Sequence, residues 1–152
     1  MSGARLDELL LEVTSQTLEE AAFVFAEPAV ALLPWPDEIV EADLSFTGPK
    51  TGRLLLATPP ELAREIAAGL MGTDIDDPLV QAEGAEAVGE MLNIICGALL
   101  EAWFGEEAVC QLGSPEVQVV TKDDFRRRWE GAICSISLVT DEEHRIDAAL
   151  FG

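Results

Sequence analysis

Histidine occurs once in the 152 residues, at His144, so a histidine-dependent triad or a multi-histidine metal site has almost nothing to draw on. Set beside Glu142 and Glu143, it reads as a solvated turn residue. Cysteine is nearly as scarce. Cys96, Cys110 and Cys134 are odd in number and widely spaced, which excludes a zinc ribbon and a redox CxxC pair; two of them sit inside apolar runs and read as buried thiols in a reducing compartment. Basic residues are few, 9 Lys and Arg against 29 Asp and Glu. The formal charge of −20 repels phosphate backbones and anionic headgroups alike, so neither nucleic acid nor a membrane is expected as a partner. Long hydrophobic runs are missing too: the longest candidate, Met91 to Phe104, is interrupted by Asn93, Gly97 and Glu101, short of the roughly 18 to 20 apolar residues that a span needs. The opening MSGARLDELLLEV lacks the basic stretch and small-residue cleavage site of a secretory signal, and a cytoplasmic location is expected.

What is present is enough for a core. An apolar content of 49% leads us to expect one domain over residues 1–152, without disulfides or a structural metal. Apolar residues at near-helical spacing predict a first helix from Leu6 to Phe25, stopped by the proline-rich Leu32 to Glu38, where Trp35 reads as a loop anchor on the core. From Val40 to Thr47 the pattern alternates, with Val40, Ala42, Leu44 and Phe46 on one face and Glu41, Asp43, Ser45 and Thr47 on the other, as in a half-buried strand. A hairpin through Gly48 to Gly52, its glycines at positive φ, returns along Arg53 to Ala57. The GPKT stretch lacks the second glycine and following helix of a phosphate loop. Thr58-Pro59-Pro60-Glu61 reads as a capping box opening a helix that ends at Gly72, and a longer helix spans Gln81 to Phe104. Strands follow at Glu116 to Thr121, Gly131 to Thr140 and Arg145 to Phe151, while Phe125 to Trp129 (FRRRW) reads as a surface loop balancing local acid. The fold class expected is α+β, with helices packed on a largely antiparallel sheet.

The long helix carries the chemistry. At about 100° per residue and with Glu86 at zero, Glu90, Asn93, Gly97 and Glu101 all fall within about 60° of it, on one stripe. Val88, Met91, Leu92, Ile95, Leu99, Ala102 and Trp103 fall on the opposite, core-facing side. Most acidic helix faces are merely solvated and Gly97 could serve helix packing, so spacing alone does not settle the matter. Asn and Gly are nevertheless both poor choices for an idle helix surface, and a glycine removes bulk where another molecule can come close. A carboxamide offers an acceptor oxygen and two donor protons, although it is no general base near neutral pH.

Glu86, Glu90 and Asn93, with Gly97 four residues after the Asn and Pro115 further on, resemble the motif of the CheC/CheX/FliY chemotaxis phosphatases: Asp or Ser, three residues, Glu, two residues, Asn, and a distant Pro. One copy of the motif and the order of elements resemble the single-site CheX branch. The resemblance implies a CheX-like fold and hydrolysis of the phospho-aspartate of a CheY-type response regulator. In that reading Asn93 orients the hydrolytic water, Glu90 pairs with a lysine of the partner, and Glu86 and Gly97 line the contact. It also implies no cofactor of the chain's own, Mg2+ on the response regulator, and a homodimer joined through the sheets. Glu86 stands where the family usually has Asp or Ser, and Ala98 where CheX-like chains often have Asn. The rival reading is a non-catalytic binding module of the same fold, as in flagellar-switch proteins that lack the Glu/Asn pair.

Overall fold

The alternation read from Val40 becomes strand β2 (Ile39–Thr47), which turns back into β3 (Gly52–Thr58) with Val40 opposite Thr58 and Phe46 opposite Gly52. The structure, a computed structural model, describes residues 3–152. Neither turn glycine has a positive φ, contrary to expectation. Their neighbours explain them instead: a Cβ on Gly52 would lie 2.5 Å from the Phe151 carbonyl oxygen, and one on Gly48 2.8 Å from Cys110 Sγ.

Beyond β3 lie β7 (Arg145–Phe151), β6 (Cys134–Thr140) and the short β1 (Ala26–Pro28). On the other side of β2, β4 (Gln111–Leu112) and β5 (Glu116–Val120) pair with successive parts of the same strand. Every pairing is antiparallel, in the order β1-β6-β7-β3-β2-β4 with β5 also on β2. Neither β1 nor β4 was expected, because two or three residues are too few to show an alternation.

Helices α1 (Gly3–Ala22), α2 (Pro60–Met71) and α3 (Pro78–Phe104) cover one face of this sheet. Leu10, Leu18, Leu62, Ile66, Met91 and Leu92 from the helices meet Leu44, Leu54, Leu56, Leu138 and Ile146 from the strands in one core. The first helix ends at Ala22, short of Phe25, because Phe23 takes a left-handed φ of 58° and Val24 N–H bonds back to the Leu18 carbonyl. The capping box does not form: α2 is capped at Pro59 without a side-chain bond, and Thr58 Oγ1 is buried without a partner. Thr58 sits at the end of β3, opposite Val40, which holds its hydroxyl in the sheet and away from the helix. The left-handed Gly72 ends α2 as expected.

The opposite face of the sheet departs furthest from the sequence pattern. Phe125 to Arg128 of the FRRRW segment belong to a helix, α4 (Lys122–Arg128), with Trp129 as its C-cap, and do not form a surface loop; Thr121 Oγ1 caps the start by accepting from Asp124 N–H at 3.2 Å. Under it, Glu41 is fully buried and does not face solvent, its carboxylate accepting from Arg128 Nε at 2.6 Å and Trp129 Nε1 at 2.9 Å. Trp35 anchors its loop here, with Ile39, Ala57, Val120 and Phe125 in a second small core. Arg145 grips Asp147 through two bonds of 3.0 and 2.9 Å and lies 4.6 Å from the Trp35 ring centroid. His144 also differs from expectation, being half-buried with Nδ1 3.3 Å from Glu65 of α2.

Cys96 and Cys134 are buried and Cys110 is half-buried, all as free thiols. Burial pushes the Cys96 thiol from the ordinary 9.0 up to about 12, helped by the nearby Cys110. Cys134 rises to about 12 for the same first reason, with the Asp7 carboxyl beside it as the second. Because the folded values are raised, the stability these neutral thiols contribute is complete below the ordinary value and is lost only as pH climbs toward about 12. By length and composition alone α3 is apolar enough to cross a membrane, against the sequence expectation, but half of its most apolar window is buried inside this fold.

Candidate functional site

Helix α3 opens with Asp77 as its cap, the carboxylate accepting from Leu79 N–H at 2.9 Å, and with Pro78 in the first turn, where a missing N–H costs no hydrogen bond. Gln81 then reaches back to the Ile75 carbonyl at 2.7 Å and ties the acidic linker to the helix. Val80, Ala87, Val88, Met91, Leu92, Ile95, Cys96, Leu99 and Leu100 are buried, so the helix is clamped along most of its length. Two expected core positions differ: Ala102 is exposed, and Trp103 is half-buried at the edge of the core, where it stacks on Phe104 with the centroids 4.3 Å apart.

On the other side Glu86, Glu90 and Asn93 are all exposed, and Gly97 is half-buried with nothing within 4 Å of where a Cβ would stand. Glu90 and Asn93, three residues apart on a helix, have Cβ atoms about 5–6 Å from one another. No ion pair among the described residues involves Glu86, Glu90 or Glu101. A rigid helix therefore projects a free carboxylate and a free carboxamide together into solvent, with a gap one turn further on. The gap continues into a shallow depression of about 320 Å³ lined by Leu100, Glu101, Cys110 and Leu112. Ala98 faces the other way, toward a recess shared with Val13 and Thr17 of α1.

Pro115, distant in sequence, lies against this helix: a Cβ on Gly89 would stand 3.4 Å from Pro115 Cβ and 2.8 Å from Val117 Cγ2. Sequence reasoning passed over Gly89, although a glycine inside a helix, costing about 1 kcal/mol relative to alanine, was a signal to follow. It also passed over Ile94, 41% exposed beside Asn93, which puts an apolar side chain at the edge of the acidic stripe. Among the described residues no group of three or more His, Cys, Asp or Glu side chains is placed to hold a metal ion.

Residues 41–139 match the family model described as chemotaxis phosphatase CheX. No curated protein sequence matches the chain. Among solved structures, the chain is similar to the chemotaxis protein CheX from Vibrio vulnificus, with a TM-score of 0.72 and 18% identity over 99% of each chain. A chemotaxis protein CheX from Desulfovibrio desulfuricans gives a TM-score of 0.67 at 18% identity, covering 96% of this chain and 97% of that one. A CheX–CheY–BeF3–Mg2+ complex from Borrelia burgdorferi gives 0.66 at 16% identity over 95% of each. At such identities the structures speak for the fold, and they share its α+β arrangement of helices on an antiparallel sheet. The family match spans β2 to β6 and contains the whole motif helix, and by it the chain belongs to the CheX family of chemotaxis phosphatases.

Proposed function

We propose that this chain dephosphorylates the phospho-aspartate of a CheY-type response regulator in the cytoplasm, with Asn93 orienting the attacking water and Glu90 pairing with a lysine beside the partner's phosphorylation site. The observation that carries the reading is the joint exposure of Glu90 and Asn93 on one turn of a clamped helix. The response regulator brings the electrophile and its Mg2+, as CheY, BeF3 and Mg2+ are together with CheX in the Borrelia complex. What the partner lacks is an ordered water and a closed site. The Asn93 carboxamide accepts from the water through its oxygen and donates to a phosphoryl oxygen through its NH₂, so its contribution is orientation and exclusion of solvent. Glu86 and Gly97 flank the pair and line the contact. The test is the lifetime of a CheY-type receiver domain phosphorylated with acetyl phosphate. This chain shortens it at substoichiometric amounts, and an unchanged lifetime across a range of CheY-type receivers would remove the reading.

Gly97 gives a second, independent check. Since a Cβ there meets nothing, Gly97→Ala is expected to raise stability by about 0.5–1 kcal/mol, the helix-propensity difference, in a denaturant titration. Gly97→Trp fills the gap and is expected to weaken binding to a BeF3-activated receiver while the thermal midpoint stays near that of the parent. Undiminished binding by the Trp variant would take Gly97 out of the contact.

A further inference from the structure

Gly89 immediately precedes Glu90 and is buried where α3 rests on the loop and strand carrying Pro115 and Val117. A methyl group there would come within 2.8 Å of Val117 Cγ2, and within 3.4 and 3.6 Å of Cβ and Cγ of Pro115. The first separation is well inside the roughly 3.5–4.0 Å at which carbon atoms sit comfortably. The strand side has little freedom to yield. Valine is stiff at χ1, the proline ring is rigid, and β5 is held in register on β2 with Val117 opposite Ala42. On its far side α3 is equally fixed, by Met91, Leu92 and Ile95 at zero exposure in the core.

The three glycines of α3 thus stand in different surroundings. Gly97 faces open space, and Gly84 faces Arg64 Cγ at 3.0 Å, part of a long side chain that can move. Only Gly89 meets a branched side chain on a paired strand and a proline ring just before it. We propose that Gly89 is a positioning residue: by letting α3 seat directly on Pro115 and Val117, it sets the height and rotation of the turn that presents Glu90 and Asn93. The inference rests on the phosphatase reading of that pair. A methyl at position 89 lifts this turn off its seat, and a water-orienting amide displaced by about 1 Å loses on the order of 10²-fold in rate.

The experiment follows the decay of a CheY-type receiver phosphorylated with acetyl phosphate at rising concentrations of the full chain, separating the saturating rate from the half-saturating concentration. Gly89→Ala is expected to lower the saturating rate about tenfold or more while the half-saturating concentration moves about threefold or less. Gly89→Ala/Val117→Ala, which removes the clashing Cγ2, is expected to recover most of that rate. Gly84→Ala, a buried change on the same helix that faces Arg64 of α2, serves as the purely structural comparison and is expected to keep the saturating rate of the parent. If Gly89→Ala does not fold, Val117→Ile crowds the same contact from the strand side and is expected to lower the saturating rate in the same sense. The inference is overturned by a folded Gly89→Ala with the parent's saturating rate, by a double variant that regains thermal stability without regaining rate, or by Val117→Ile at full rate. A parent chain that accelerates no receiver's decay removes the phosphatase reading and takes this inference with it, whereas failure of the variants alone leaves that reading standing.

Discussion

Asn93→Ala is expected to leave the chain folded and able to bind an activated receiver while its acceleration of dephosphorylation falls by roughly 10²-fold or more, the scale of losing an oriented reactant. The side chain is exposed and the position helical, so alanine removes no packing and slightly favours the helix. That is why a rate measured in excess of the variant reads the chemistry and not the folding. Glu90→Ala is expected to behave differently. In the proposed function its carboxylate would belong to the encounter as well as to the closed site, and truncating one member of a desolvated interfacial charge pair costs about 2–5 kcal/mol of binding. Titration of both variants against a BeF3-activated receiver separates the roles. Full phosphatase activity in Asn93→Ala would end the assignment, and equal binding losses in both variants would merge the two roles into one.

Arg128→Ala is expected to be the most destabilising of the changes considered. It strips the main cation from Glu41, whose side chain has no exposure at all, and breaking a buried pair by removing one partner costs about 3–5 kcal/mol. Trp129 Nε1 remains as a donor at 2.9 Å, and Arg53 stays with Asp43 at 3.2 Å, but neither sits on the Glu41 oxygen that Arg128 holds at 2.6 Å. Glu41→Ala is expected to cost less, because the Arg128 side chain is 35% exposed and can rehydrate. Guanidinium unfolding curves on the two variants check the order. If Glu41→Ala proves the worse of the two, the carboxylate is held mainly by Trp129.

The same pair of positions marks where sequence pattern stopped being informative. The helix stripe was legible because a face repeats every turn: Glu86, Glu90 and Asn93 are exposed and Val88, Met91, Leu92, Ile95 and Leu99 are buried, as the period implies. Strand β2 was legible in its position and in its helix-facing side. Its other side was not, because Glu41 and Asp43 read as solvent-facing acids until a segment 87 residues away supplies the cation. That segment, FRRRW, has no apolar period over its few residues, and only its cap at Thr121 and its contacts under the sheet make it a helix. The hairpin glycines and Gly89 make a similar point. A sequence shows that a glycine is present, but whether backbone geometry or a neighbour's bulk requires it is decided by residues far along the chain, here Phe151, Pro115 and Val117.

The latch on Glu41 also has an electrical result. Of the chain's few cations, Arg128, Arg53 and Arg145 are engaged with acids on the back of the sheet, and Lys122, Arg126 and Arg127 are paired in or beside α4. Six of the nine Lys and Arg are thereby taken up by acids away from α3, whose outer face carries Glu83, Glu86, Glu90 and Glu101 exposed, with Arg64 beside Gly84 and Lys50 over Trp103 as neighbouring cations. Four carboxylates on one helix face raise the cost of bringing two such faces together, so copies of the chain approaching α3 to α3 repel one another.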